Sequence, residues 1–473
     1  MRSLRVVRAL SLFAFLVVAF GSRKAEAGGF YLLDRGARAL SRGGAFVAGA
    51  DDPQALWYNP AGLAWSKNQI VGESTLTLPF VDYTRYTGDG ASPTVHAKPM
   101  YIPIPSLAFS YKLSKSLTIG AGIFAPNMML INWPRSIPGP SGTNLPAPTR
   151  YSLVSLQGSL LSNLAMGGSY KLTKDLSLGA DFQVAAGRFK AETGLSACDG
   201  AICQYPEDPD FDAYATIDAM PVWGFTGTFG IIYNLFDMVR WGASVALPYK
   251  LSGTGSLDLK MPDNVLFRDA QVQGNKADLA LNFPLIVRVG SEIRPVPYLR
   301  MEGAFVWEQW SSQKAITMTP NNMKLTNVSG IGEYEVGKVD LVRNMRDVWS
   351  LRGGYEIWFP RSLAGKFFKS INLAMRGGLA YETSAFDKHT LTPLTIDSDK
   401  LLVSGGFSFD LLDWLRMDTS AGWYHMWNQE ITQSTIYQPT AIRPGFKGVS
   451  ALGNGKYEME AIYLGGSLIV KLE

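Results

Sequence analysis

The chain has 473 residues, of which 18% are charged and 12% aromatic, with 48 glycines and a net charge of +4. So weak and dispersed a charge argues against a nucleic-acid partner, and two cysteines cannot staple a chain of this length. Abundant glycine and aromatic residues suit half-buried strands with glycine bends better than a helical enzyme.

Residues 1–27 read as an export signal. Arg2, Arg5 and Arg8 form a basic start, Ala9–Phe20 an apolar core, and Ala25-Glu26-Ala27 an A-x-A cleavage site. The apolar run is too short for a membrane anchor, and none of that length follows Phe20. If the mature protein spans a membrane, it must do so as a closed barrel.

Residues 28–68 form a compact stretch without strand alternation. It is rich in Gly and Ala, carries Asp51-Asp52, and includes Asn59-Pro60-Ala61 near its end. Taken alone, Asn59-Pro60-Ala61 suits an ordinary turn, since Asn often opens a turn and Pro fixes its φ. Ahead of a large all-β body, the whole stretch reads as a hatch, or plug.

Residues 69–473 alternate apolar and polar positions in segments expected at 69–86, 105–113, 117–124, 151–172, 176–193, 219–234, 239–255, 278–293, 298–316, 346–358, 371–383, 399–410, 414–434 and 457–472. Connections between them are alternately short and long. This is the rhythm of an all-β, transmembrane antiparallel β-barrel of about fourteen strands with short turns at one end and long loops at the other. It places both termini on the periplasmic side of a Gram-negative outer membrane. From Tyr298, Leu299, Met301, Phe305 and Trp307 share one face, while Arg300, Glu302, Ala304, Val306 and Glu308 share the other. In lipid the first face points outward and the second lines the lumen. Arg288, Arg352 and Arg376 also fall on the lumen face. The last strand departs from the usual aromatic ending, since the chain closes on Glu473.

Three features invite a chemical role. The apolar run Pro126–Pro134, with Met128, Met129, Leu130 and Trp133, sits on an expected outer loop, where it would either capture an apolar ligand or cap the barrel mouth. Cys198 and Cys203 are expected to form a disulfide in an exported protein; without a nearby His they make half a metal site, and neither metal nor cofactor is expected. His96, His389 and His425 are scattered, and neither G-x-S-x-G nor H-E-x-x-H occurs, so catalysis is not expected.

Gly29-Phe30, Gly43-Gly44-Ala45, Asp51-Asp52 and Asn59-Pro60-Ala61 behind an export signal resemble the FadL-like outer-membrane long-chain fatty acid transporter family, which also includes importers of aromatic hydrocarbons such as toluene. Leu176-Ser177-Leu178-Gly179-Ala180 and Trp223-Gly224-Phe225-Thr226-Gly227 fall where that family has similar strands. The resemblance implies a monomeric fourteen-stranded barrel in contact with outer-membrane lipids. It also implies passive uptake of a hydrophobic ligand, by outer-loop capture, an internal apolar pocket and lateral exit into the membrane. Long-chain fatty acids are the expected ligands; an aromatic hydrocarbon importer or a general porin-like barrel is the alternative. On that pattern the inner pocket falls at Phe30, Tyr31 and Leu32, and a lumenal arginine among Arg288, Arg352 and Arg376 meets a carboxylate head. The lateral gap is expected near the third strand, where Gly120 and Gly122 allow a bend and Pro126 ends the ladder.

Overall fold

The computed structural model describes residues 34–98, 101, 103–125, 131–139, 142–198, 207–236, 238–329, 332–359, 372–438 and 450–472. The export signal, Phe30, Tyr31, Leu32, Pro126, Met128, Met129, Leu130 and Cys203 lie outside the described residues.

Fourteen antiparallel wall strands close into one barrel. In chain order they are β1 (Gln69–Thr87), β2 (Pro103–Lys112), β3 (Leu117–Phe124), β4 (Leu160–Lys171), β5 (Leu176–Ser196) and β6 (Asp212–Leu235). Four strands with interrupted ladders follow: β7 (Val239–Ala246 and Tyr249–Lys260), β8 (Lys276–Phe283 and Ile286–Val296), β9 (Leu299–Glu308 and Ala315–Pro320) and β10 (Val339–Val342 and Val348–Phe359). The last are β11 (Leu373–Glu382), β12 (Lys400–Leu412), β13 (Leu415–Ile431) and β14 (Gly455–Lys471). The ladder between β1 and β14, from Gln69↔Lys471 to Arg85↔Gly455, closes the cylinder and leaves no free edge in this sector. No described helix is long and apolar enough to cross a membrane.

Alternation decides which side chains face out. Leu107, Phe109 and Tyr111 on β2, Phe225, Phe229, Ile231 and Tyr233 on β6, and Ile462, Leu464 and Leu468 on β14 are exposed. Their sequence neighbours point into the lumen and are buried. The short turns are made by hydroxyls. Ser114 Oγ accepts from the Ser116 and Leu117 amides, and Thr173 Oγ1 from those of Asp175 and Leu176, so the same local bond closes both hairpins.

Several expected strand boundaries are corrected. The segment expected from residue 151 begins at Leu160, the one expected from 219 begins at Asp212, the one expected to end at 255 runs to Lys260, and the one expected from 346 takes in Val339–Val342. Leu153, Val154 and Leu156 are apolar like strand residues, but they are buried under the loops as part of the barrel mouth. Their apolar spacing serves that packing. No register shift marks the expected bend in β3. β3 pairs in unbroken register with β2, from Lys112↔Thr118 to Ser106↔Phe124, and with β4, from Leu117↔Tyr170 to Phe124↔Asn163. A Cβ on Gly120 would lie 2.8 Å from Phe109 O and 3.3 Å from Leu63 of the hatch. Gly120 therefore admits close packing of the hatch against the wall.

Candidate functional site

The hatch occupies the lumen at the short-turn end. Two single-turn helices, α1 (Ala37–Leu40) and α2 (Ala55–Tyr58), and a 3-10 turn over Pro60–Trp65 make it up. Asn59 caps that turn: its Oδ1 accepts from the Ala61 amide at 3.2 Å, and Pro60 sits where a missing N–H costs nothing. Asn59 Nδ2 donates to Val47 O at 3.0 Å and to Ile231 O of β6 at 3.1 Å. Asn59-Pro60-Ala61 is thus a buried bracket between hatch and wall. The wall is shaped to receive it. A Cβ on Gly179 would fall 2.2 Å from the Ala61 nitrogen, and Ser177 Oγ donates to Ala61 O at 3.0 Å.

Charges from the strands lock the hatch further. The Glu302 carboxylate of β9 accepts from the successive amides of Val47 (2.6 Å), Ala48 (2.8 Å) and Gly49 (3.0 Å), and pairs with Arg42 at 3.0 Å. Arg38 pairs with Glu356 of β10 at 2.9 Å and with Asp51 at 2.7 Å, and Arg300 of β9 reaches Asp51 at 2.9 Å. Glu73 of β1 accepts from the Gly36 and Ala37 amides and from Ser106 Oγ. Buried ion pairs of this kind add little net stability, but removing one partner strands the other without solvent. They fix where the hatch sits. Below it, a polar vestibule of about 390 Å³ is lined by Arg38, Asp51, Arg300, Glu356, Arg416 and Lys471 among others.

The long-loop half of the lumen is filled differently. Here a large cluster of inward residues is apolar: Ala215 and Ile217 of β6, Leu257 of β7, Leu279 and Leu281 of β8, Ile316 and Met318 of β9, Met426 of β13 and Met459 of β14. Loop residues Leu153, Leu156, Phe386, Leu391 and Ile396 close it from above. Trp133, offered by the sequence for either capture or capping, is 1% exposed and donates from Nε1 to Pro393 O at 3.2 Å. Its place is in the cap. A cavity of about 20 Å³ remains inside this region, walled by Phe189, Ile217, Ile316, Met318 and Leu394, with Arg343 at its edge. That is room for about one water molecule.

The three lumenal arginines are buried, as their alternation predicts, but they differ in company. Arg352 pairs with Asp34 and Glu382, and Arg376 with Glu356 and Asp418. Arg288 takes part in no hydrogen bond or ion pair among the described residues, and its Nη1 is buried without a partner. It lies where the two halves meet. A cavity of about 30 Å³ beside it is bounded by Trp57 of the hatch, Asn163, Gln183 and Thr228 of the wall, and the stacked rings of Tyr249 and Phe283, 4.7 Å apart. Sequence alternation finds Arg288 but not Trp57, Asn163 or Gln183. The legible clue to this place was Pro248 and Pro284, two prolines inside central strands. Cys198 is disulfide-bonded.

The comparisons with known proteins agree with this architecture. A crystallised Pseudomonas aeruginosa FadL homologue superposes with a TM-score of 0.72 at 15% identity, over 94% of this chain and 100% of that one. The Pseudomonas putida toluene transporter TodX gives 0.61 at 15% identity, covering 94% and 99%. The Ralstonia pickettii toluene transporter TbuX gives 0.56 at 15%, covering 93% and 98%. At such identities these likenesses speak for the fold. A Neisseria meningitidis serogroup B protein, provisionally named as an outer membrane protein, is 29% identical over 118 residues, a stretch that spans 24% of this chain and 25% of that relative. The family profile for outer membrane protein transport proteins (OMPP1/FadL/TodX) matches residues 18–462. The chain therefore belongs to that family: it is an outer-membrane β-barrel transporter of hydrophobic compounds, and not an enzyme.

Proposed function

We propose that the protein takes up long-chain fatty acids passively, holding the carboxylate at Arg288 and the acyl chain in the apolar half of the lumen. The observation that carries this reading is the buried Arg288, without a direct ion pair among the described residues, at the edge of the apolar part of the lumen. Glu308, Asp34 and Asp181 act on it only at a distance, a buried cation without a bonded partner is costly, and a carboxylate ligand would supply one. Arg352 and Arg376 already have carboxylates, so their role is in the wall and hatch. Phe30, Tyr31 and Leu32 remain candidates for the pocket's inner side. Met128, Met129 and Leu130 remain candidates for first contact, ahead of Trp133.

In this reading the short-turn end and both termini face the periplasm, residues 1–27 are the cleaved leader, and the barrel works as a monomer; its ladder closes on itself without a partner strand. An acyl chain loses about 0.8 kcal/mol per CH₂ on entering water. The charged vestibule under the hatch is therefore a poor exit, and a route sideways into lipid a good one.

Arg288→Ala should weaken long-chain fatty acid binding to the purified protein while leaving toluene binding unchanged. Equal loss of both ligands, or of neither, contradicts the carboxylate assignment. A second reading, import of aromatic hydrocarbons, draws on the Trp57, Tyr249 and Phe283 rings around the same cavity. It predicts the reverse selectivity, with Phe283→Ala costing toluene binding most.

A further inference from the structure

We propose that the cavity beside Arg288 carries a second polar subsite, at Asn163, and that this subsite selects fatty acids bearing a hydroxyl group on the acyl chain. The proposal deepens the fatty acid reading and rests on it. At one level of the lumen wall, three neighbouring strands turn buried polar side chains inward: Asn163 of β4, Asp181 and Gln183 of β5, and Thr228 of β6. Nearer the long loops the same three strands turn Leu161, Phe189 and Ile217 inward instead. A wall that met only methylene groups would gain nothing from the change, because every buried polar atom must find a partner.

The hydrogen bonds fix which way each amide points. Asp181 Oδ1 accepts from the Thr228 backbone amide at 3.0 Å and from Gln183 Nε2 at 3.0 Å. Gln183 Nε2 also donates to Thr228 Oγ1 at 3.2 Å. With its nitrogen so engaged, Gln183 turns Oε1 to Asn163 Nδ2, 3.1 Å away. Asn163 is left with Oδ1, an acceptor, which is buried without a partner. Asn163 and Arg288 line the same cavity, and among its lining residues the buried side-chain atoms without a partner are Asn163 Oδ1 and Arg288 Nη1. Asp181 Oδ2 also lacks a partner, but Asp181 does not line the cavity. One end of the site therefore wants an anion and the other a neutral donor. A single ligand answers both if it carries a carboxylate and, further along, a hydroxyl. A dicarboxylate does not, since its second anion would meet an acceptor. An unsubstituted fatty acid satisfies one atom, and a hydrocarbon neither. The cavity, at about 30 Å³, has room for a group the size of a water molecule, which a hydroxyl is.

The test is competition binding to the intact purified protein, comparing octadecanoic acid with isomers hydroxylated near the carboxylate, in mid-chain and near the methyl end. At least one isomer should bind about tenfold more tightly than the parent acid, the worth of partnering a buried acceptor. Asn163→Leu, which removes the acceptor and keeps most of the volume, should bring that isomer and the parent to equal affinity. Asn163→Ala, made beside it in case the leucine does not fit, should do the same. Arg288→Ala should weaken both acids and leave their ratio standing. Because the ratio is the readout, a general loss of fold, which lowers both affinities alike, does not imitate the result. A wild-type protein that binds octadecanoic acid as tightly as every hydroxylated isomer overturns the subsite, makes a buried water the partner of Asn163, and leaves the fatty acid reading intact. A preference that survives in either Asn163 variant overturns the subsite as well. A wild-type protein that binds none of these acids overturns the fatty acid reading, and the subsite with it.

Discussion

The two halves of the lumen are built from the same fourteen strands and filled in opposite ways. At the short-turn end the inward positions carry Arg240, Glu292, Arg300, Glu302, Glu356 and Arg376, and a folded-in hatch is locked among them. At the long-loop end many inward positions are Ile, Leu and Met, covered by loops, beside a few buried ion pairs such as Lys400 with Asp397. Polar directional contacts hold a lid in one place; apolar packing without directional bonds yields to a guest of variable shape. The difference assigns work. On the proposed function, one half is a seal and the other a receptacle, and Arg288 stands at their boundary.

The largest test of that division is to remove the seal. Deleting residues 34–61 should convert a silent barrel into one that passes a large, steady ion current in a planar bilayer. A deletion protein that folds and stays silent would mean that something other than the hatch closes the lumen. Smaller in effect is Glu302→Ala, which strands three hatch amides and leaves Arg42 only the longer contact to Glu292. Breaking a buried pair costs about 3–5 kcal/mol, so the variant should melt earlier and show flickering conductance. Leu281→Ala strikes the other half. It should cost about 2–5 kcal/mol of stability and weaken fatty acid binding, yet leave conductance closed. If both variants leak equally, the halves are not separable.

The smallest effect lies at the outer rim, where Arg85 forks onto Glu207 at 2.6 and 2.7 Å. Burial pushes the Glu207 carboxyl up, but the hydrogen bonds and charge of Arg85, with Arg150 nearby, outweigh it and hold the group below its ordinary value. A depressed carboxyl contributes stability above its unfolded pKa and loses it as pH falls through the folded one. Amide exchange around Glu207 should therefore quicken below about pH 4, and Glu207→Gln should exchange fast at neutral pH.

Much of the division was legible beforehand. Strand number, the loop rhythm, the hatch and the lumen face of Arg288, Arg352 and Arg376 all follow from period-two alternation, which directly reports which side a residue faces. What alternation does not report is who sits across the lumen. Glu302 and Glu356 look alike in sequence, and only the fold brings Glu302 under the Val47–Gly49 amides and Glu356 against Arg38. The same limit explains the misplaced start of β4, because an apolar group such as Leu153, Val154 and Leu156 serves a loop core as readily as a strand. Gly120 shows it as well. A glycine in a strand can mark a bend or a close approach, and here the approach of Leu63 decides.

The central claim, that the hatch stays shut while ligand passes sideways, has a direct test. A Cβ built on Gly290 of β8 falls 3.0 Å from the Val47 Cβ of the hatch, within a small adjustment of disulfide geometry. A Val47→Cys, Gly290→Cys protein, oxidised so that the hatch is tied to the wall, should import long-chain fatty acid at the rate of its reduced form. Loss of uptake on oxidation, restored by reductant, would show that the hatch must move, and would contradict the account.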